Sequence, residues 1–258
     1  MNVFQADDFD DHEEVVFFSD PTVGLKAIIA VHSTALGPAL GGCRMWPYAS
    51  DEEALRDVLR LSRGMTYKAA MAQVKLGGGK SVVIADSHTD KSPELLHAVG
   101  RCIERLNGRY ITGEDIGTNP FDMAEIKTRT KYVSCLRKED GGYGDPAPMT
   151  ALGVFQSIRA GAARVLGTND LKGVHVAVQG VGNVGLDLCG MLKEAGAEIT
   201  VCDVFAGNLD EATALHGATA VDVDAIFDVQ ADIFAPCAMG GVLNDDTIGR
   251  LNVKVVAG

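Results

Sequence analysis

The sequence predicts an α/β protein of two domains, and three observations predict it. Strand-like runs alternate with helical patterns along the chain. A glycine- and proline-rich stretch at 136–150, "LRKEDGGYGDPAPMT", separates two such regions. Residues 173–203 order a strand, a G-x-G-x-x-G loop, a helix, a second strand and a closing aspartate. The 258 residues suffice for sizeable cores. They divide into an N-terminal domain over 1–135, a hinge over 136–150 and a C-terminal domain over 151–258.

The elements follow in order. "EEVVFFSD" and "GLKAIIAVHST" are rich in β-branched and aromatic residues and read as strands. Ser50 and Glu53 have capping-box spacing, so a helix starts there. Leu55, Val58, Leu59, Ser62 and Met65 then recur at helical spacing, and the helix runs through Tyr67 and Lys68. The glycine run Gly77–Gly79 ends it and reads as a loop before the buried strand "SVVIAD". Ser92 as N-cap and Pro93 in the first turn start another helix, which closes at Asn107–Gly108. "RYITGED" reads as a strand, and Asn119-Pro120 opens a further helix. "TALGVFQSIRAGAARVLG" is a long helix leading out of the hinge. The alternation argues α/β, with a mixed sheet open for the first domain.

Composition narrows the function classes. The formal net charge is -12, and an acidic surface repels a phosphate backbone, which argues against nucleic acid. The six cysteines form no C-x-x-C pair and no Cys/His cluster, so neither a disulfide framework nor a metal site is expected. The acidic "MNVFQADDFDDHEEVV" lacks the apolar core of a signal peptide, and no apolar run is long enough to span a bilayer. A cytoplasmic protein without a membrane partner is the expectation.

The C-terminal domain carries a nucleotide fingerprint. Val174, Val176 and Val178 alternate in a strand, and Gly180, Gly182 and Gly185 follow. Gly180 permits the tight turn, Gly182 lets a pyrophosphate approach, and Gly185 lets the helix from Asn183 to Ala195 pack close. The helix N-terminus, with Val181, Asn183 and Val184 around it, offers free N–H groups. "AEITVCD" is the second strand, and Asp203 at its end suits an adenosine ribose 2′-OH. The pattern predicts a Rossmann-type dinucleotide-binding domain that takes NAD rather than NADP. Ala235, Pro236, Cys237 and Ala238 form the loop at the carboxyl end of a later strand, where ligands of open α/β sheets bind.

The N-terminal domain carries two lysines of interest. Gly79-Lys80-Ser81 imitates the end of a phosphate-binding loop. The leading glycine is replaced by Val74, and the stretch precedes a strand where such a loop follows one. Ordinary surface lysines and a flexible glycine connection would account for the same residues. Yet Lys80 precedes an apolar strand, and Lys68 lies in "GMTYKAAMA". Two lysines drawn to one apolar cleft would depress each other's pKa, and one would become a general base.

Taken together, "HSTALGPALGGCRMWPYAS", "LSRGMTYKAAMAQVKLGGGKSVVIAD", "GRYITGEDIGTNPFDM", "GDPAPMTALGV", "QGVGNVG" and "DIFAPCAMGGVLNDDTI" carry a resemblance over nearly the whole chain. The chain resembles the leucine/phenylalanine/valine dehydrogenase branch of the amino-acid dehydrogenase family. The resemblance implies oxidation of an L-amino acid with NAD to a 2-oxo acid, ammonia and NADH. It implies Lys80 as catalytic base, Asp115 as proton shuttle and Lys68 as the carboxylate ligand. It places Gly41, Gly42 and Met65 in the substrate site, Leu40 and Gly113 against the side chain, and Thr150 at the nicotinamide amide. An interdomain cleft would hold the substrate and exclude water on closing. A homo-oligomer built through the first domain is implied as well.

Leu40 stands where a glutamate-type enzyme wants a cation, and burying a carboxylate against leucine is costly, so the substrate should be apolar. Leucine, valine or isoleucine is the leading expectation. Gly113 departs toward the phenylalanine members, and a missing methyl would enlarge the pocket, which keeps an aromatic substrate open. The chain ends at "VKVVAG", where the family continues. That implies an incomplete dinucleotide domain with an exposed "NVKVVAG". A truncated NAD-binding relative without turnover is the alternative.

Overall fold

A computed structural model describes residues 3–258, so the first two residues of the acidic N-terminal stretch lie outside it. The chain forms two compact units, Met1–Asp145 and Pro146–Gly258.

The first unit is a mixed sheet. β1 (Glu14–Asp20) and β2 (Leu25–Ser33) form an antiparallel hairpin. β3 (Ala39–Trp46), β4 (Gly77–Ile84) and β5 (Tyr110–Glu114) complete the order β1-β2-β4-β3-β5. β4 runs antiparallel to β2 and parallel to β3, which runs parallel to β5. α1 (Asp51–Met71) covers one face, where Val58 and Leu59 pack with Ile28, Ala30 and Val82. α2 (Pro93–Arg105) and α3 (Pro120–Lys127) supply Leu95, Val99, Ile103, Met123 and Ile126 to the other face, with Val31, Cys43, Val83 and Tyr110. Each fully buried branched side chain contributes about 1.5–3 kcal/mol.

Local chemistry sets the helix starts. Ser50 Oγ accepts from Glu53 N at 3.1 Å, while the Glu53 carboxylate accepts from Ala49 N at 2.9 Å, one residue earlier than a capping box requires. Ser92 Oγ accepts from Leu95 N, and Asn119 with Asp122 closes a full capping box on α3.

Two strand readings change. The glycine run is the first half of β4, a strand paired on both sides, and not a loop before one. Each glycine admits a close neighbour. A Cβ on Gly77 would fall on the Ser33 carbonyl, one on Gly78 on Thr66 N of α1, and one on Gly79 within 2.7 Å of the Tyr110 ring. The second change is β3, which no periodicity announces. It follows Pro38 and contains Gly41 and Gly42, and it is held by hydrogen bonds from β4 and β5.

The second unit is an all-parallel sheet in the order β10-β9-β6-β7-β8. Its strands are β6 (His175–Gln179), β7 (Glu198–Cys202), β8 (Thr219–Ala220), β9 (Ile233–Pro236) and β10 (Val255–Val256). α4 (Ala147–Val165), α5 (Asn183–Glu194) and α6 (Ala206–His216) provide Ala151, Ile158, Leu188, Leu192 and Ala212 to a core with Val176, Val178 and Val201. A short apolar cluster of Ile226, Phe227 and Phe234 lines the opposite face. The terminal "NVKVVAG" is not wholly exposed. Ala257 is buried, and half-buried Val255 fits against α4 where Gly161 has no side chain.

Among the described residues no helix is long and apolar enough to cross a membrane. None of their His, Cys, Asp or Glu side chains group in a way that could hold a metal ion.

Candidate functional site

The first unit concentrates ionisable groups where β3, β4 and β5 present their carboxyl ends. Side chains alternate along β4, so Ser81 and Val83 face α2 and α3 while Lys80 and Val82 face α1. Lys80 is only 5% exposed. Its Nζ lies 2.9 Å from Asp115 Oδ2, just past the end of β5. Arg44 of β3, also 5% exposed, donates from Nε to the same oxygen at 2.7 Å. Arg44 Nη1 donates to Asp57 Oδ2 of α1 at 2.8 Å, and the Tyr48 hydroxyl donates to that Asp57 oxygen at 2.6 Å.

The electrostatics follow from burial and these contacts. Burial drives the Lys80 ammonium below the ordinary lysine value; Asp115 opposes that, and the Arg44 charge adds to it. Burial pushes the Asp115 carboxyl up, but Lys80 and then Arg44 more than reverse this and hold it below the usual range. The like charge acting on Lys80 is therefore Arg44. The expected mutual depression of Lys80 and Lys68 is corrected, because Lys68 sits exposed in the last turn of α1.

Glycines shape the space beside Lys80. A Cβ on Gly42 would stand 3.2 Å from Lys80 Nζ and 2.7 Å from Asp115 Cβ. Only a missing side chain keeps that space open. Gly41 lets β3 and β4 approach, since its Cβ would fall on the Gly79 carbonyl. The buried Tyr110 hydroxyl lies 2.9 Å from the Gly41 carbonyl and 3.1 Å from Ser81 Oγ, which fixes the glycine pair from the far face. Met65 and Leu40 are half-buried, on α1 and β3 respectively.

Gly113 needs a correction. A methyl there would meet Cys135 Sγ and Ser134 Oγ, both at 2.9 Å, so the missing methyl leaves room for those side chains and not for a larger pocket. Its neighbour Glu114 was not singled out from the sequence. Burial, a hydrogen bond with Asp145 and the nearby negative charges push its carboxyl up to about 8. Its Oε2 is buried without a partner.

In the second unit the glycine loop joins β6 to α5. Gly180 has φ +85°, and a Cβ there would stand 2.7 Å from Ala238 Cβ. Gly185 allows α5 to press on the turn, since its Cβ would fall on the Gly180 carbonyl. Gly182 is the N-cap of α5 with no side-chain cap, and its missing Cβ faces open space. The first N–H groups of α5, at Asn183 and Val184, therefore face a cradle that suits an anionic pyrophosphate. Asp203 follows β7 and does more than the sequence implies. Its Oδ2 accepts from Val181 N at 2.8 Å and from Asn208 Nδ2 at 3.2 Å, and its Oδ1 accepts from Phe205 N. The carboxylate thus pins the glycine loop and, half-exposed, retains acceptor capacity on Oδ1. Residues Ala235–Ala238 leave β9 beside this loop, where Cys237 N donates to the Gln179 carbonyl at 2.7 Å. Thr150 lies exposed in the first turn of α4, its hydroxyl donating to the Pro146 carbonyl at 3.0 Å.

Arg44, Asp57 and Tyr48 escaped the sequence reading. The available signal was a lone arginine in the otherwise uncharged "PALGGCRMWPYAS", which no local pattern ties to Asp57.

Known proteins bear out the resemblance. The family profile "Glu/Leu/Phe/Val dehydrogenase, dimerisation domain" matches residues 12–132, and "Glutamate/Leucine/Phenylalanine/Valine dehydrogenase" matches 141–216. Leucine dehydrogenase of Geobacillus stearothermophilus is 51% identical over 258 residues, covering 100% of this chain and 70% of that protein. Phenylalanine dehydrogenase of Thermoactinomyces intermedius is 49% identical over 259 residues, covering 100% and 71%. The crystal structure of L-tryptophan dehydrogenase from Nostoc punctiforme superposes with a TM-score of 0.66 at 46% identity, covering 96% of this chain and 70% of that one.

Proposed function

The chain belongs to the Glu/Leu/Phe/Val dehydrogenase family, in its leucine/phenylalanine/valine branch, and from that premise we propose NAD-dependent oxidative deamination of an apolar L-amino acid. The products are the 2-oxo acid, ammonia and NADH. The observation that carries this reading is the buried Lys80–Asp115 pair beside the space that Gly42 leaves open.

Each role has a physical reason. Lys68, exposed in the last turn of α1 and in no ion pair among the described residues, is a cation for the substrate carboxylate. Asp115, held ionised by two cations, takes a proton from the substrate amino group. Lys80, whose burial favours the neutral amine, takes a proton from the water that attacks the imino carbon. Gly41, Gly42 and Met65 border the substrate backbone, and half-buried Leu40 gives its side chain an apolar wall. The loop Gly180–Gly185, Asp203, Ala235–Ala238 and Thr150 would hold NAD, whose nicotinamide would supply the hydride acceptor for the reaction. Asp203 favours a free 2′-OH over a 2′-phosphate.

Leucine, valine and isoleucine are the first candidates because Leu40 is aliphatic. Phenylalanine is the second reading, favoured by near-equal identity to relatives of both names. A homo-oligomer in the cytoplasm suits the dimerisation-domain match and the unpaired cysteines.

The test is NADH formation with leucine, valine, isoleucine and phenylalanine at alkaline pH. Turnover rises with pH as Lys80 loses its proton, and it does so below the ordinary lysine range. Lys80→Ala abolishes it, with far-UV circular dichroism unchanged. No turnover of any of the four by a folded sample defeats the proposal.

A further inference from the structure

We propose that Arg44, Asp57 and Tyr48 are positioning residues that anchor Asp115 through Oδ2 and so present its Oδ1 to the amino group of the substrate. The inference rests on the deamination reading above and extends it to residues that touch no reactant.

The geometry is an unbroken chain of short contacts: Tyr48 Oη to Asp57, Asp57 to Arg44, Arg44 to Asp115, Asp115 to Lys80. Four separate elements supply it: the β3 segment with its following turn, α1, β4 and the end of β5. Arg44 spends one edge on each carboxylate, Nε on Asp115 and Nη1 on Asp57. A planar guanidinium held at two edges cannot rotate, so Asp115 Oδ2 has one position. Lys80 approaches that same oxygen. Among the described residues Oδ1 has no hydrogen-bond partner, and it is not a buried orphan atom. A carboxylate that must receive a proton therefore offers the oxygen that no cation occupies.

A merely structural ion pair would not need this arrangement. One carboxylate would satisfy Arg44, and Asp57 with its Tyr48 hydrogen bond would be superfluous. As placed, Asp57 balances Arg44, and the Asp115–Lys80 couple is left to exchange a proton. The groups acting on Lys80 are Asp115 just past β5, Arg44 from β3 and Asp57 from α1, and Cys43 of β3 also lies within reach of its charge. The β2 residue paired with Lys80 is Ala30, which adds no charge. Arg44 weighs against the Lys80 ammonium, whereas Asp57 favours it. Loss of the two residues therefore has opposite signs.

The test compares Arg44→Gln, Arg44→Lys, Asp57→Asn and Tyr48→Phe with the unaltered chain. Proton affinity of Lys80 is read without turnover, by amine-reactive labelling across pH and mass analysis of its peptide. The pH profile of kcat/KM is read in parallel. Arg44→Gln moves half-labelling of Lys80 to higher pH and Asp57→Asn moves it lower, each by about one unit. In the profiles the rising limb moves with it. Arg44→Lys restores the labelling position but not kcat, which stays about 100-fold down because a point charge lacks the second edge. Tyr48→Phe, the mildest change, lowers kcat more than it raises KM. Should Arg44→Gln not fold, Asp57→Asn and Tyr48→Phe still carry the test. The relay is overturned if Lys80 labelling and profile stay fixed in folded Asp57→Asn. It is overturned equally if Asp57→Asn and Arg44→Gln shift in the same direction, as general loosening would produce. An unaltered chain that deaminates nothing defeats the functional reading instead, and the labelling experiment tells the two failures apart.

Discussion

Gly42→Ala places one methyl directly against Asp115 and Lys80. The added Cβ would stand 2.7 Å from Asp115 Cβ, 2.7 Å from the Glu114 carbonyl and 3.2 Å from Lys80 Nζ. Comfortable carbon contacts begin at about 3.5 Å, so the shortfall is about 0.8 Å. The Glu114 carbonyl belongs to β5 and is fixed by pairing, as Gly42 itself is paired with Gly113. Asp115 must move instead, and its contacts of 2.7 Å to Arg44 and 2.9 Å to Lys80 move with it. Overpacking of this kind costs about 1–3 kcal/mol, which lowers Tm by on the order of 5 °C for a chain of this size. Misplacing a reacting group by ~1 Å costs about 100-fold in rate. Steady-state NADH formation and a thermal melt of the same samples measure both. Gly64→Ala is the control: it lies in α1 with nothing within 4 Å of its Cβ. That change should stabilise the helix by about 0.5–1 kcal/mol. Wild-type kcat together with wild-type Tm in Gly42→Ala would refute the close approach of β3 to Asp115.

Three further outcomes follow from single contacts. Glu114 stays protonated up to about 8 in the folded chain, whereas the unfolded chain ionises in the ordinary carboxylate range. The folded state then holds the extra proton across that window, so stability falls as pH rises through it and levels above about 8. Glu114→Gln flattens this part of the Tm–pH curve, and an unchanged slope would show that Glu114 is not the source. Asp203→Ala frees Val181 N and removes the ribose acceptor, weakening NAD about 10- to 100-fold and narrowing the gap to NADP. Calorimetric titration with both cofactors checks it, and unaltered NAD affinity would count against the site. Gly78→Ala sets a methyl on Thr66 N and forces the C-terminal turns of α1, which carry Lys68, off the sheet. KM for the amino acid then rises roughly tenfold; a drop in Tm with KM unmoved would remove Lys68 from the substrate carboxylate.

What the sequence disclosed was what neighbouring residues decide among themselves. Ser50 with Glu53, Ser92 with Pro93, and Asn119 with Pro120 mark helix starts because caps are made within a turn. The glycine loop was legible for the same reason, since strand, turn and helix are contiguous. β3 was illegible because its glycines have poor strand propensity and its pairing comes from β4 and β5, far along the chain. Gly77–Gly79 looked like a connection for want of side chains, yet the neighbours that need those absences belong to β2, α1 and β5. The supposed partnership of Lys68 and Lys80 failed on orientation. One ends an exposed helical turn, the other points into the α1 face of the sheet, and Arg44, an unremarked residue of a third element, supplies the neighbouring charge.

That third charge changes what the lysine can do. Burial alone favours a neutral Lys80, but an undivided ion pair with Asp115 would return the proton to it and leave no base. Arg44 resolves the conflict because a guanidinium does not give up its proton at any working pH. By sharing Oδ2 it adds to the hold that Lys80 has on the ionised Asp115, and it makes a second cation beside itself costly. Of the two cations on one oxygen, only Lys80 can become neutral, which suits it to the base role proposed for it. The glycines of β3 and β4 then matter for the same chemistry. They let α1, with Asp57, and the end of β5, with Asp115, close on the strands that carry Arg44 and Lys80. With a Cβ at Gly42 or Gly78 those carboxylates would stand farther off, and Lys80 would be a buried amine with nothing to orient the proton it exchanges.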